Sequence, residues 1–261
     1  MRVELSEMTS GKDEFTVDVS QDWMLACAVQ QRFMQGLGRS SRFLDYSARC
    51  RQVRALGGDC YDFTPLAEDR VAFVVGDASG KGLPAALMIA NVQSSLRTAA
   101  LFTGEDPATL LKVVNHQAYS SSPDDRYTTL FYGVFDGAER TLRYGNAGHN
   151  PPVVVRANGS VDWLETGGPP VGMFPDSTYE EKMVRLGPGD FVIAYTDGVI
   201  EATNPGGEVW GVQGLLQAAA EWVPKSSDDA EDLVRFIFSS MDDFSRRCQS
   251  DDVTLAVLRA R

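Results

Sequence analysis

Positive charge is scarce in this 261-residue sequence: 24 Lys and Arg stand against 36 Asp and Glu, a net charge of −12. A nucleic-acid binder that works by neutralising phosphates needs a basic surface, and here the long-range field repels a polyanion and an anionic membrane alike. Long apolar runs are missing too. No stretch approaches the ~20 consecutive apolar residues that span a bilayer, and Met1-Arg2-Val3-Glu4-Leu5 opens no signal-peptide core. The expectation is a cytoplasmic protein whose partners include neither nucleic acid nor membrane. The four cysteines, Cys27, Cys50, Cys60 and Cys248, lie far apart and form no C-x-x-C pair. That removes the usual framework of a zinc site or a disulfide scaffold and leaves reduced, packed thiols.

What is present is ordinary globular material, 43% hydrophobic and 23% charged, at a length that suits one large domain better than two. Residues 1 to about 20 are polar and aperiodic and read as a loose leader or linker. From Gln21 onward Trp23, Met24, Ala26, Cys27, Val29, Gln30, Phe33 and Met34 recur at helical spacing until Gly36 and Gly38, which predicts one amphipathic helix over 21–36. Its apolar face must pack on the following domain or on a partner chain. Strand signals at 43–50, 61–65 and 71–75 precede two helices, 83–101 with Pro84 in its first turn and 107–120 capped by Asp106. Short β-branched or aromatic segments at 128–135, 141–144, 152–156, 160–164, 179–186 and 191–195 read as antiparallel strands, with Asn158-Gly159 as a hairpin turn. Helices at 212–222 and 229–246 and a strand at 253–258 follow. Regular βαβ alternation is absent. The pattern therefore predicts an α+β layered domain over 42–261, sheets covered by helices, after a 1–41 leader and helix.

Four carboxylates share one local grammar. Asp59 after Gly57-Gly58, Asp77 after Val74-Val75-Gly76, Asp197 in Tyr195-Thr196-Asp197-Gly198 and Asp251 in Ser250-Asp251-Asp252-Val253 each stand at the edge of an apolar run beside Gly or a second Asp. A carboxylate at a buried strand end is costly unless paired or ligated, and four converging ones require cations. Hard oxygen ligands with open water positions suit Mg²⁺ or Mn²⁺ and argue against zinc. Two such ions about 3.5–4 Å apart acidify a bridging water and clamp the oxygens of an in-line phosphoryl displacement, which supplies a nucleophile without Ser, Cys or His. Each Asp-Gly is equally a plain turn, and spacing alone does not establish convergence.

Five segments occur in order: Gly57-Gly58-Asp59-Cys60-Tyr61-Asp62, Gly76-Asp77-Ala78-Ser79-Gly80-Lys81-Gly82-Leu83-Pro84-Ala85-Ala86, Gly145-Asn146-Ala147-Gly148-His149-Asn150-Pro151-Pro152, Thr196-Asp197-Gly198 and Asp251-Asp252-Val253-Thr254-Leu255. Together they resemble the metal-dependent protein serine/threonine phosphatases, the PPM or protein phosphatase 2C-like superfamily, and within it the bacterial SpoIIE/RsbU-like group, over about residues 42–259. The resemblance implies a four-layer α-β-β-α sandwich of two antiparallel sheets flanked by helix pairs. It also implies two Mn²⁺ or Mg²⁺ ions, with Asp77 bridging both and the Ala78 carbonyl a further ligand of one. Asp197 and Asp251 complete the second ion, and Asp59 reaches the site directly or through water. The implied activity is hydrolysis of phosphoserine or phosphothreonine on a regulatory protein, usually a STAS-domain anti-sigma-factor antagonist, by attack of a metal-bridging water. A phosphatase-like module that binds without turnover and a phosphatase of small phosphoesters are the alternatives. The group usually carries an N-terminal sensor or partner-binding module. Here about 40 residues precede the domain, so either an activator or dimer partner engages the 21–36 helix or the chain is a fragment.

Departures from the group are local. Ser79 stands where the eukaryotic branch has a histidine, as is usual in the bacterial group, and Arg51-Gln52-Val53-Arg54 replaces an Arg-Pro-Ala pattern before Gly57. Cys60, after Asp59, is read as a packed thiol. Lys81 is a candidate phosphate contact beside a helix start. Of the two histidines, His149 is assigned a hydrogen bond within its turn and His116 a packing or surface role.

Overall fold

The computed structural model describes residues 19–34, 39–40, 42–67, 69–103, 106–123, 125–222 and 229–261. The leader up to residue 18 and the helix stop at Gly36 and Gly38 lie outside the described residues. In chain order the elements are α1 (Val19–Phe33), β1 (Arg39–Ser40), β2 (Leu44–Arg51), β3 (Asp59–Ala67), β4 (Arg70–Ala78), α2 (Leu83–Thr103), α3 (Pro107–Ser121), β5 (Thr128–Asp136) and β6 (Thr141–Ala147). They continue with β7 (Val153–Val155), β8 (Val161–Trp163), β9 (Gly167–Gly168), β10 (Lys182–Arg185), β11 (Phe191–Tyr195), α4 (Asp197–Ile200), α5 (Gly211–Glu221), α6 (Ala230–Ser245) and β12 (Val253–Ala260).

The central strands are buried along nearly their whole length because both of their faces are covered. On β4, Phe73 and Val75 point into a core shared with Tyr46, Phe63, Phe131, Phe135, Tyr144, Val192 and Leu258. Ala72 and Val74 point the other way, onto Val92 and Leu96 of α2 and Leu110, Leu111 and Val114 of α3. That two-residue alternation sorts the side chains of one strand into two different cores. The strand orders are β1-β2-β12-β11-β7-β8 in one sheet and β10-β6-β5-β4-β3 in the other, antiparallel throughout except that the two-residue β9 runs parallel to β6. The first sheet turns its outer face, with Ile193, Tyr195 and Leu255, to Leu215 of α5 and Ile237 and Phe238 of α6. The result is the four-layer α-β-β-α sandwich. Its middle is held by aromatic contacts such as Tyr46–Phe63, with ring centroids 4.5 Å apart, and Phe131–Tyr144 at 5.4 Å.

Local signals account for the element ends. Asp106 accepts the Thr109 amide at 2.9 Å ahead of Pro107, so α3 starts where its cap and its proline place it. The Asn158-Gly159 hairpin closes through the Arg156 amide donating to the Ser160 carbonyl at 2.8 Å. Three details differ from the sequence reading. The strand predicted over 179–186 shrinks to β10, an edge strand with three of its four residues exposed, while Tyr179 leaves it to pack on the α2–α3 layer. The one-turn α4 and the two-residue β9 are too short for any periodic pattern to announce. Helix α1 docks on α2, with Gln30 buried and donating to the Gly57 carbonyl at 2.7 Å, yet Trp23, Met24, Leu25 and Val29 stay exposed. Among the described residues no helix is long and apolar enough to cross a membrane.

Candidate metal centre

The two sheets bring their strand ends together at one place. Asp77 lies near the end of β4, cross-strand from Asp59 on β3 and from Thr129 on β5. Asp197 opens α4 immediately after β11, and Asp251 stands two residues before β12. Asp77, Ala78, Asp197 and Asp251 line a single cavity of about 430 Å³ together with Lys81, His149 and Glu201. Four of the five predicted ligand positions thus meet.

Asp59 is not on that wall. It is buried behind Asp77, and its Oδ2 accepts hydrogen bonds from Thr196 Oγ1 at 2.8 Å and Thr254 Oγ1 at 2.6 Å. Asp252 also turns away from the cavity and accepts the backbone amides of Val53 at 2.7 Å and Gly58 at 2.9 Å, pinning the loop before β3 to the start of β12. The close approach needs Gly58: a Cβ there would stand 2.8 Å from the Ala78 carbonyl oxygen. Thr196, Asp252 and Thr254 all sit inside motifs recognised in the sequence, although the sequence assigned none of them a contact. Glu201 was missed altogether, and its four-residue spacing from Asp197, which puts both on one side of a helical turn, is the signal that could have found it.

Like charges crowd the cavity. Burial, and then Asp197, Asp251 and Asp252, push Asp77 up to about 7, with Lys81 acting the other way. Burial, Glu201 and Asp251 raise Asp197, and burial followed by Asp77 raises Asp59 well above the carboxylate range despite its two threonine donors. Such a set fits hard divalent cations, since it offers carboxylate and backbone carbonyl oxygens whose mutual repulsion a cation relieves. Among the described residues no three His, Cys, Asp or Glu side chains gather closely enough to hold an ion alone. An ion here would therefore complete its shell with the Ala78 carbonyl and water, as Mg²⁺ commonly does.

The remaining groups are quickly placed. Asp251 Oδ2 accepts from Lys81 Nζ at 2.6 Å, and its Oδ1 accepts the Asp252 amide at 2.9 Å. His149 is buried with Nδ1 2.9 Å from Thr129 Oγ1, so its partner is a side chain on β5 rather than its own turn, which Asn146 ties to the His149 backbone. Among the described residues its Nε2 has no partner of hydrogen-bonding geometry, and burial pushes its pKa down to about 4, the Tyr195 backbone acting the other way. His116 is exposed on α3, and Cys60 packs against Ala78, Ala85 and Ile89.

The profile of the Stage II sporulation protein E (SpoIIE) family matches residues 67–261. The chain belongs to the SpoIIE family. It is 29% identical over 232 residues to protein IcfG of Synechocystis sp., which covers 78% of this chain and 36% of IcfG. To the phosphoserine phosphatase RsbU of Bacillus subtilis it is 25% identical over 247 residues, 94% of this chain and 71% of RsbU. The SpoIIE-family chain thus spans well under half of IcfG. The solved SiaA-PP2C domain of Pseudomonas aeruginosa shares the fold at a TM-score of 0.78, covering 92% of this chain and 96% of that domain at 19% identity.

Proposed function

We propose that this chain is a metal-dependent phosphatase acting on phosphoserine or phosphothreonine in a regulatory protein. The observation that carries the reading is the convergence of Asp77, Asp197 and Asp251 with the Ala78 backbone on one cavity. Membership of the SpoIIE family and the similarity to a phosphoserine phosphatase support it. In this reading residues 42–261 are the phosphatase domain and two Mn²⁺ or Mg²⁺ ions sit in the cavity. Asp77 would serve both, the Ala78 carbonyl would serve one, and Asp197 and Asp251 would serve the other. Asp59, buried behind Asp77 and bonded to Thr196 and Thr254, would reach them through water. Bound there, the ions would supply an acidified water nucleophile and charge neutralisation on the phosphoryl group.

The chain's own side chains then have limited roles. Ser79 Oγ accepts the Tyr127 amide at 3.0 Å, and among the described residues its hydroxyl donates to no carboxylate or imidazole that would activate it as a nucleophile. His149, neutral near pH 7 and bonded to Thr129, is not the imidazolium that would protonate the leaving serine or threonine oxygen, and its one remaining ring N–H is far less acidic. The carboxylates orient and balance charge, and the leaving group takes its proton from water or from the substrate's surroundings. A STAS-fold phosphoprotein is the proposed substrate, and the exposed apolar side of α1 is where an activator or dimer partner meets the domain.

The test is phosphate release from a phosphoserine protein across Mn²⁺ and Mg²⁺ titrations, with Asp77→Asn and Asp197→Asn alongside. Metal-dependent turnover that falls by roughly two orders of magnitude or more in both variants is expected, since each removes a charge from the ion set. Undiminished turnover in Asp77→Asn would overturn its assignment. Partner binding without any turnover would favour a signalling module, and higher kcat/KM on metabolite phosphates would favour a small phosphoester.

A further inference from the structure

The three carboxylates on the cavity wall are not equivalent. Among the described residues neither Asp77 nor Asp197 has an ion-pair partner, whereas both oxygens of Asp251 are bonded: Lys81 Nζ on Oδ2 at 2.6 Å and the Asp252 amide on Oδ1 at 2.9 Å. Lys81 Nζ also lies 3.3 Å from the Ser250 carbonyl, so both of its bonds go to the segment that carries Asp251. An ammonium at this distance and a divalent cation cannot share one carboxylate oxygen without strong mutual repulsion. Lys81 therefore competes with a metal ion for Asp251 Oδ2.

The surroundings of Lys81 suit a side chain that leaves. It is flanked by Gly80 and Gly82, both at positive φ (98° and 73°), so no neighbouring Cβ confines its stem. The backbone on either side is anchored: the Ser79 amide donates to the Tyr127 carbonyl at 2.9 Å, the Ser79 carbonyl accepts from Arg126 Nη1 at 3.2 Å, and the Gly82 carbonyl accepts the Ala86 amide at 2.9 Å. With a fixed base and a side chain 44% exposed, Lys81 can exchange Asp251 for solvent while its loop stays in place.

We propose that Lys81 is a displaceable internal cation, which holds Asp251 while the cavity lacks metal and is expelled when an ion binds that carboxylate. The proposal rests on the metal-centre reading above. Ion occupancy at Asp251 is then set by competition between Lys81 and free metal, which makes the second ion the weaker one and leaves it responsive to metal concentration.

The test is isothermal titration of Mn²⁺ into the full chain and into Lys81→Gln and Arg54→Gln. Arg54 is the control: its Nη1 borders the same loop, 3.4 Å from where a Cβ on Gly82 would stand, and among the described residues it makes no bond to Asp251. Both substitutions remove one exposed positive charge, so a difference between them reports the Asp251 contact and not the general field. Lys81→Gln is expected to tighten the weaker Mn²⁺ step by about threefold, the scale of an exposed ion pair, while Arg54→Gln stays at the unaltered value. Unchanged or weaker binding in Lys81→Gln, or equal tightening in Arg54→Gln, would overturn the proposal. Binding by the unaltered chain with no gain in Lys81→Gln would defeat this inference alone. No Mn²⁺ binding by any of the three proteins would defeat the metal centre with it.

Discussion

Burial holds the His149 imidazole down at about 4, against an ordinary value of 6.5. The unfolded chain takes up a proton on this ring near pH 6.5 and the folded chain does not until about pH 4. The stability contributed above pH 6.5, at most about 3 kcal/mol, is therefore lost as the pH falls through that window. The raised Asp77 gives the opposite slope, so the wild-type profile alone does not isolate the ring. Urea unfolding of metal-free protein between pH 4 and 7 should show a shallower acid loss in His149→Gln than in the unaltered chain, and parallel profiles would sink the assignment. At this scale the sequence was legible only in part. Asp77, Asp197 and Asp251, singled out by their motifs, meet on one cavity, but Asp59 has the same Gly-Asp grammar as Asp77 and still faces the threonines behind it. Which side of a strand end a carboxylate takes depends on register and on the neighbouring sheet, and neither is written in a local motif.

Helix ends were more readable, because capping is a local interaction. Asp229 accepts the Glu231 and Asp232 amides at 2.9 and 3.2 Å, and the Asp232 side chain returns the bond to the Asp229 amide at 3.1 Å. This reciprocal pair starts α6, whose buried residues Leu233, Ile237 and Phe238 pack on the outer face of the first sheet. Asp229→Ala should lower the unfolding free energy by about 1 kcal/mol, read as a shift of the urea midpoint with unchanged slope. A loss several times larger would mean that the cap also positions the helix on the sheet. Long elements with a repeated apolar face were legible for the same reason, whereas 179–186 was overextended. There Glu180, Glu181 and Lys182 interrupt the apolar residues, and only the tertiary neighbours decide that pairing begins at Lys182.

For the molecule as a whole the net charge of −12 opposes any acidic phosphoprotein at a distance. Raising ionic strength from about 10 to about 150 mM shortens the Debye length from roughly 30 to 8 Å and screens that repulsion. At saturating metal, kcat/KM on a phosphoprotein should rise over this range. A fall would show that Lys81, Arg54 and Arg126 around the cavity outweigh the global field. Layer order was legible from the succession of strands and helix pairs, but the meeting of β4 with the ends of β11 and β12 was not, because it joins segments more than a hundred residues apart. That meeting gives the cavity a mechanical meaning. Asp77 rides on one sheet while Asp197 and Asp251 belong to strand ends of the other, so an ion held among them would act as a rivet through the two halves of the sandwich. Without an ion, the same strand ends are already aligned by Asp59, which accepts Thr196 Oγ1 at 2.8 Å and Thr254 Oγ1 at 2.6 Å across the two sheets. A displacement of one sheet over the other would strain those bonds and spread the ion's ligands together.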